Sequence, residues 1–321
     1  MAENTPAVLV DVQQVRKAFG KKVAVSDVSF QVRAGEVFGL LGPNGAGKTT
    51  TIRMILNIFS PDAGEIRVLG GKLTPARRDR IGYMPEERGL YPDMKVIECL
   101  TYLGSLKGLS RAEARKRAQG YLERLEIGDQ QKTKIQKLSR GMTQKVQVIA
   151  AVLHRPDLLI IDEPFANLDP VNAQLVRDII LELRDEGRAV IMTSHQLALV
   201  EAQCDRIAMI HHGRVVLEGS VAEVRRRFAR NRLVVAGSGN LPADLPGVAA
   251  VVQHTPSDYH LLMRNGTAPH IVLAALVSSG QFQVERFELE MPSLDDIFVQ
   301  VVRETDPNFD IRAVQNGDAP V

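Results

Sequence analysis

An α/β fold built on a parallel sheet is predicted by three apolar runs of one kind: Val37-Phe38-Gly39-Leu40-Leu41, Leu158-Leu159-Ile160-Ile161 and Ala189-Val190-Ile191-Met192. Each is short and shows no polar alternation, so it reads as a strand covered on both faces. The first opens into a glycine-rich loop, and the other two end in polar residues. Open α/β sheets hold ligands beyond the carboxyl ends of their strands, so these run ends are the first candidates for a site.

The first run leads into Gly42-Pro43-Asn44-Gly45-Ala46-Gly47-Lys48-Thr49-Thr50. Gly42, Gly47, Lys48 and Thr49 match G-x-x-x-x-G-K-[ST], a phosphate-binding loop. The glycines let successive N–H groups turn inward toward a polyanion, Lys48 supplies an ammonium for the outer phosphates, and the Thr49 hydroxyl is placed to hold Mg²⁺. At ordinary glycine usage the four fixed positions arise by chance in roughly one chain in a hundred of this length. The flanks strengthen the match. Ile52, Ile55, Leu56 and Phe59 are spaced for a helix that starts at the loop and runs to Pro61, with its N-terminus toward the phosphates. The expected ligand is a nucleoside triphosphate.

Ahead of the loop, Val8 to Val15 and Ala24 to Val32 alternate apolar and polar residues, as half-buried antiparallel strands do. Phe19 lies between them, followed by Gly20, and can either stack on a nucleotide base or sit in the core. After Pro61, a turn at Asp62 to Glu65 leads into a short strand, Glu65 to Leu69. Ile81 to Pro92, with two prolines and two glycines, reads as a loop, and Lys95 to about Gly128 has helical spacing with arginines on its solvated face. Ser139 is placed to cap a helix that Pro156 stops, and such a capped start, followed by Gly141, can also serve as an anion site.

The second run ends in Asp162-Glu163. Asp162 can bind Mg²⁺ directly or through water, and Glu163, rotated to the other side, can accept the proton of an attacking water. The third ends in Thr193-Ser194-His195, where His195 can contact a γ-phosphate.

Composition adds boundaries. The 321 residues allow one large α/β domain and a smaller second one. Forty basic against thirty-eight acidic residues leave a net charge of +2, which gives no field selecting nucleic acid or an anionic membrane. Cys99 and Cys204 form no C-x-x-C, which fits idle thiols in a reducing compartment. The longest apolar run, Ile271 to Val277, is far short of the ~20 residues that span a bilayer. The chain is expected to be soluble, with any membrane role exercised through a partner.

Taken together, the motifs from Val8 to Gly219 resemble the ATP-binding cassette family, the ATPase subunits of ABC transporters. The resemblance implies a P-loop NTPase fold with a RecA-like parallel-sheet core, an antiparallel β subdomain and a helical subdomain. Its cofactors would be ATP and Mg²⁺. Phe19 would stack on the base, Gly42 to Thr50 would be the Walker A loop, and Asp162 and Glu163 would end Walker B, with Glu163 as general base. Leu138 to Met142 resembles the signature that reaches the partner subunit's ATP through Ser139 and Gly141. Asp169 would belong to the dimer-contacting D-loop, and His195 would be the switch histidine. Glu86 stands where the family usually has a metal-sensing glutamine, and Arg140 and Met142 replace a glycine and the glutamine of the signature. The run Pro85 to Pro92 resembles the bacterial sodium-efflux and drug-efflux branch.

With one copy of each motif, the resemblance implies a homodimer and a separate transmembrane permease engaging the groove near Glu86 to Met94. The chain would then be a cytoplasmic protein held on the inner face of the cell membrane by that permease. The expected function is that of an exporter ATPase; an importer ATPase, a non-transport ABC ATPase acting on nucleic acid or ribosomes, and a binding-only clamp are the rivals. The balanced charge gives no reason to expect nucleic-acid binding.

The expected division is a disordered N-terminus (1–7), the ATPase domain (8–230, helical subdomain about 93–155), a small α+β domain (231–304) and a disordered tail (305–321). In the small domain, strands are expected at Leu233 to Ala236, Val248 to Gln253, Tyr259 to Arg264 and Gln281 to Leu289, with a helix at Pro269 to Ser279 and a second one capped by Ser293. The arginines at 225–227, 230 and 232 read as a solvated helix face or a contact for lipid headgroups or another subunit.

Overall fold

The alternating residues near the N-terminus form the long strands β1 (Val8–Phe19) and β2 (Lys22–Arg33), which pair antiparallel and bury Val10, Val12, Val15, Val28, Phe30 and Val32. The structure is a computed structural model that describes residues 6–86, 89–194, 197–229, 232–253, 258–264 and 266–306. The expected disorder at 1–7 and 305–321 therefore falls largely outside the described residues. Two compact units are present: one runs to Val221 and resumes at Val301, and the other is Ala222–Gln300.

In the first unit, β3 (Val37–Leu41) is wholly buried and feeds the phosphate loop, after which α1 (Lys48–Ile55) begins. The helix ends one turn before the expected stop, because Asn57 takes a left-handed backbone with φ 53°; Phe59 therefore lies beyond it. The chain returns through β4 (Ala63–Val68), antiparallel to β1, and the short α2 (Pro75–Arg78). Ile81–Met84 is strand β5, where the composition predicts a loop. Its parallel pairing with the second apolar run and the burial of Ile81 and Met84 outweigh the prolines and glycines that follow.

The helical stretch divides into α3 (Val96–Leu106) and α4 (Arg111–Arg124), the latter capped by Ser110, whose hydroxyl accepts from the Glu113 N–H. Next come α5 (Arg140–Val152), β6 (Leu158–Asp162), α6 (Pro170–Asp185), β7 (Ala189–Thr193), α7 (Leu197–Gln203), β8 (Arg206–His211) and β9 (Arg214–Ser220). The sheet runs β4-β1-β2-β9-β8-β3-β7-β6-β5. From β8 through β3, β7 and β6 to β5 every pairing is parallel; β1 pairs antiparallel with β2 and β4, β8 pairs antiparallel with β9, and β2 meets β9 in parallel at Asp27 and Arg214. The three apolar runs thus lie side by side as β3-β7-β6, with their polar ends along one sheet edge.

The second unit holds α8 (Val221–Phe228) and the strands β10 (Arg232–Gly239), β11 (Val248–Gln253) and β12 (Asp258–Met263), then α9 (Pro269–Ser279), β13 (Phe282–Leu289) and the start of α10 (Leu294–Thr305). Its antiparallel sheet, ordered β11-β12-β10-β13, shares a core with α9 through Leu233, Val235, Leu261, Val272, Leu276 and Phe282. Ser293 and Asp296 cap α10 reciprocally, as the spacing predicts. Arg225 donates to the carbonyls of Pro292 and Met291, a structural use for one of the clustered arginines. Both cysteines are buried free thiols, and no described helix is long and apolar enough to cross a membrane.

Candidate active site

The phosphate loop is shaped by two glycines that no other residue could replace without moving backbone. A Cβ on Gly42 (φ 143°) would lie 2.1 Å from the Ile210 carbonyl, and one on Gly47 (φ 112°) 2.7 Å from the Ala24 carbonyl. Gly47 is the N-cap of α1 and contributes no side-chain hydrogen bond, so the first amides of the helix remain available to an anion. Ala46 is buried, while Asn44 and Gly45 are exposed and Pro43, Thr49 and Thr50 half-buried. The Lys48 ammonium folds back over the loop, donating to the Gly42 carbonyl at 2.6 Å and the Pro43 carbonyl at 3.1 Å.

Burial pushes the Lys48 pKa below the ordinary lysine value, and the negative charges of Glu163, Asp162 and Glu86 oppose that shift. Three carboxylates from the ends of β5 and β6 are therefore electrostatically coupled to one ammonium at the end of β3. That convergence of sequence-distant groups is the defining feature of the site.

At the end of β6, Asp162 is buried and contacts the Thr193 hydroxyl, the residue beside it in the register with β7. Glu163 follows in a left-handed backbone conformation, φ 50°, which is uncommon for a residue other than glycine. Its N–H donates to the Thr193 carbonyl at 3.3 Å, its carbonyl accepts from Gln144 Nε2 at 2.8 Å, and its Oε2 accepts from the Ser194 hydroxyl at 3.4 Å. The site thus has one buried carboxylate and a second on a half-buried residue, whose backbone is held by two hydrogen bonds and whose carboxylate accepts from Ser194.

The remaining predicted residues occupy distinct places. Ser139 caps α5, accepting from the Met142 N–H at 3.2 Å. Gly141 lies so close to the neighbouring turn that a Cβ there would be 3.0 Å from the Asn167 carbonyl. Asp169 caps α6, with one oxygen accepting from the N–H groups of Val171 and Asn172 at 3.0 Å each, and these bonds hold its pKa below the usual carboxylate value. Phe19 is 45% exposed, with its ring packed edge-to-face on Phe59, so it has an accessible surface for stacking. Glu86 is exposed at the end of β5. His195 lies outside the described residues.

The sequence profile described as "ABC transporter" matches residues 25–166, and the one described as "ATP-binding protein DrrA1-3-like, C-terminal domain" matches residues 219–302. An uncharacterized ABC transporter ATP-binding protein of Bacillus subtilis, YhaQ, is 38% identical over 296 residues, covering 92% of this chain and 98% of that protein. This chain belongs to the ABC transporter ATP-binding proteins. Its ATPase domain is of a kind that binds and hydrolyses ATP, and its C-terminal domain is DrrA-like. The linearmycin resistance ATP-binding protein LnrL of the same organism is 34% identical over 308 residues, with 92% and 99% coverage. A solved structure of the ATP binding subunit of an ABC transporter superposes with a TM-score of 0.65 at 34% identity, over 68% of this chain and 93% of the other.

Within this ABC ATP-binding protein, three contributors to the site escape a reading by motif. Thr193 and Ser194 are legible only as a polar end to β7; that they contact Asp162 and Glu163 depends on β7 pairing with β6. Gln144 is buried on α5, and its one available signal is a polar residue among the helix's apolar positions.

Proposed function

We propose that the chain is the ATP-hydrolysing subunit of an ABC exporter and acts as a homodimer on a separate membrane permease. The observation that carries the ATPase reading is the placement of the phosphate loop after β3, with Lys48 folded over it, in the same parallel sheet whose β6 ends in Asp162 and Glu163. The triphosphate is bound by the amides of Gly42 to Thr50 and by Lys48, which exchanges its loop carbonyls for phosphate oxygens. Thr49, Asp162 and Glu86 present the hard oxygen donors that suit Mg²⁺, which when bound supplies charge neutralisation at the phosphates. Glu163 orients a water and takes its proton as the γ-phosphoryl group is transferred, and His195 contacts that group. Phe19 stacks on the base.

Ser139 and Gly141 complete the site of the second copy, and the turn bearing Asp169 lies at the dimer contact. Likeness to a resistance protein and the DrrA-like C-terminal domain favour export over import. Beside the proposed permease groove, Tyr91 and Tyr102 form an exposed edge-to-face pair with ring centroids 5.6 Å apart, an amphipathic surface suited to a protein partner. The chain would work on the cytoplasmic face of the membrane.

The test is Mg·ATP hydrolysis by wild type and Glu163→Gln, with dimer formation followed by light scattering. Loss of the base is expected to lower turnover by about 10²–10³-fold while ATP still binds and the dimer accumulates. Normal turnover by the variant would remove Glu163 from the role of base; a variant that binds ATP yet stays monomeric would remove the homodimer.

A further inference from the structure

Across β3 from the carboxylate-bearing β6, β8 ends in His211 and the turn to β9 begins with His212, two consecutive histidines. Successive side chains of a strand point to opposite faces. Here His212 takes a left-handed backbone, φ 48°, and the two rings come together with centroids 4.2 Å apart. The first unit's returning segment brings a third group to them: Asp306, just past the end of α10, whose Oδ2 lies 3.1 Å from His212 Nε2. One ligand atom from each of the three residues can be chosen so that all lie within 4.8 Å of one another.

We propose that His211, His212 and Asp306 form a binding site for one divalent transition-metal ion of the zinc class. Two imidazole nitrogens and a carboxylate oxygen suit Zn²⁺, Co²⁺ or Ni²⁺ and are poor ligands for Mg²⁺ or Ca²⁺, which take oxygen donors. Bonds of 2.0–2.2 Å in a tetrahedral site set ligand atoms roughly 3.4 Å apart. The His212–Asp306 pair already meets that spacing, and the 4.8 Å limit for the group leaves at most about 1.4 Å to be closed toward His211 by the two groups with side-chain access to solvent. His211 itself is buried at 3% exposure and gives the site one fixed member. A fourth position is left for water.

The framework behind the site is firm. The Gly213 carbonyl accepts from the N–H groups of Ser26 and Asp27, and the Gly213 N–H donates to the Ala46 carbonyl at 2.9 Å. The Asp306 N–H donates to the Val302 carbonyl at 2.7 Å, and Val302 is fully buried. A bound ion would therefore clip the returning segment to the turn that supports the phosphate loop. The proposal stands apart from the assignment of Glu163 and from the direction of transport.

The experiment uses full-length protein without a histidine tag and without nucleotide. Co²⁺ is titrated in while its d–d absorption is followed, and Zn²⁺ stoichiometry is measured by equilibrium dialysis in millimolar Mg²⁺. His212→Ala and Asp306→Asn alter exposed or half-exposed groups and are checked by circular dichroism. Expected are one tightly bound ion per chain, displacement of Co²⁺ by Zn²⁺, and at least about tenfold weaker binding in each variant. If wild type shows no stoichiometric binding, or either substitution leaves the affinity unchanged, the three-residue site is overturned and the His212–Asp306 contact is a surface ion pair alone.

Discussion

His154 shows how a single buried group writes pH dependence into the fold. Its Nε2 lies 3.2 Å from the Ile81 carbonyl and must therefore be the protonated nitrogen, while Nδ1 is buried without a hydrogen-bond partner among the described residues. A second proton would have to go on Nδ1, and Lys107, which donates to the same Ile81 carbonyl, adds an opposing charge. Burial, with Lys107 as a smaller contribution, lowers the His154 pKa from 6.5 to about 4. The unfolded chain then binds more protons between those values, so stability is full above about pH 6.5 and is lost as pH falls toward 4. By pH 5 the loss from this residue is about 2 kcal/mol. Urea unfolding of wild type and His154→Gln at pH 7.5 and pH 5 checks this: the variant should lose less stability on acidification by about that amount. Equal losses in the two proteins would mean that His154 is not the group responsible. No sequence signal identifies this histidine, because its effect depends on β5, which the composition hides.

At the scale of elements, β5 shows where reading by composition stops. Four residues are too few to show a period, and the prolines and glycines that follow dominate the local signal. The five-residue runs of β3, β6 and β7 are legible because parallel strands buried on both faces exclude polar residues from their interior. β5 matters nonetheless, since Glu86 follows it directly. Its contact with α5 is close: a Cβ on Gly82 would be 2.2 Å from the Ala151 carbonyl and 2.9 Å from Pro156 Cγ. Gly82→Ala is therefore expected to destabilise the protein by about 3 kcal/mol, at the upper end for overpacking, because backbone on one side must move. Gly120, exposed on α4 with open space at its Cβ position, provides the opposite case: Gly120→Ala should stabilise by about 0.5–1 kcal/mol. Denaturant midpoints of the two variants decide the matter, and equal shifts would show that helix–strand proximity at Gly82 is not what sets its cost.

For the whole molecule, the decisive property is that, among the described residues, each of the two units has a hydrophobic core of its own. One collects Val10, Phe30, Phe38, Ile52, Ile160 and Ile191 around the large sheet; the other collects Leu233, Val235, Leu261, Val272, Leu276 and Phe282 around the small one. The motifs that betray chemistry all lie in the first. The second is legible as an α+β arrangement because its strands and helix are spaced by turns, but no motif marks where its boundary falls, and the division after Val221 comes only with the contacts. Separate cores predict separable unfolding. Leu261 is fully buried at the centre of β12, so Leu261→Ala should cost that unit about 2–5 kcal/mol. A ligand that binds only the folded first unit stabilises that unit by mass action. In scanning calorimetry, a non-hydrolysable ATP analogue with Mg²⁺ should therefore raise one transition and leave the other in place, while Leu261→Ala should lower the transition that the nucleotide does not move. If the substitution and the nucleotide act on the same transition, the two cores unfold as one cooperative body, and the contacts that divide them in the native state do not divide their stability.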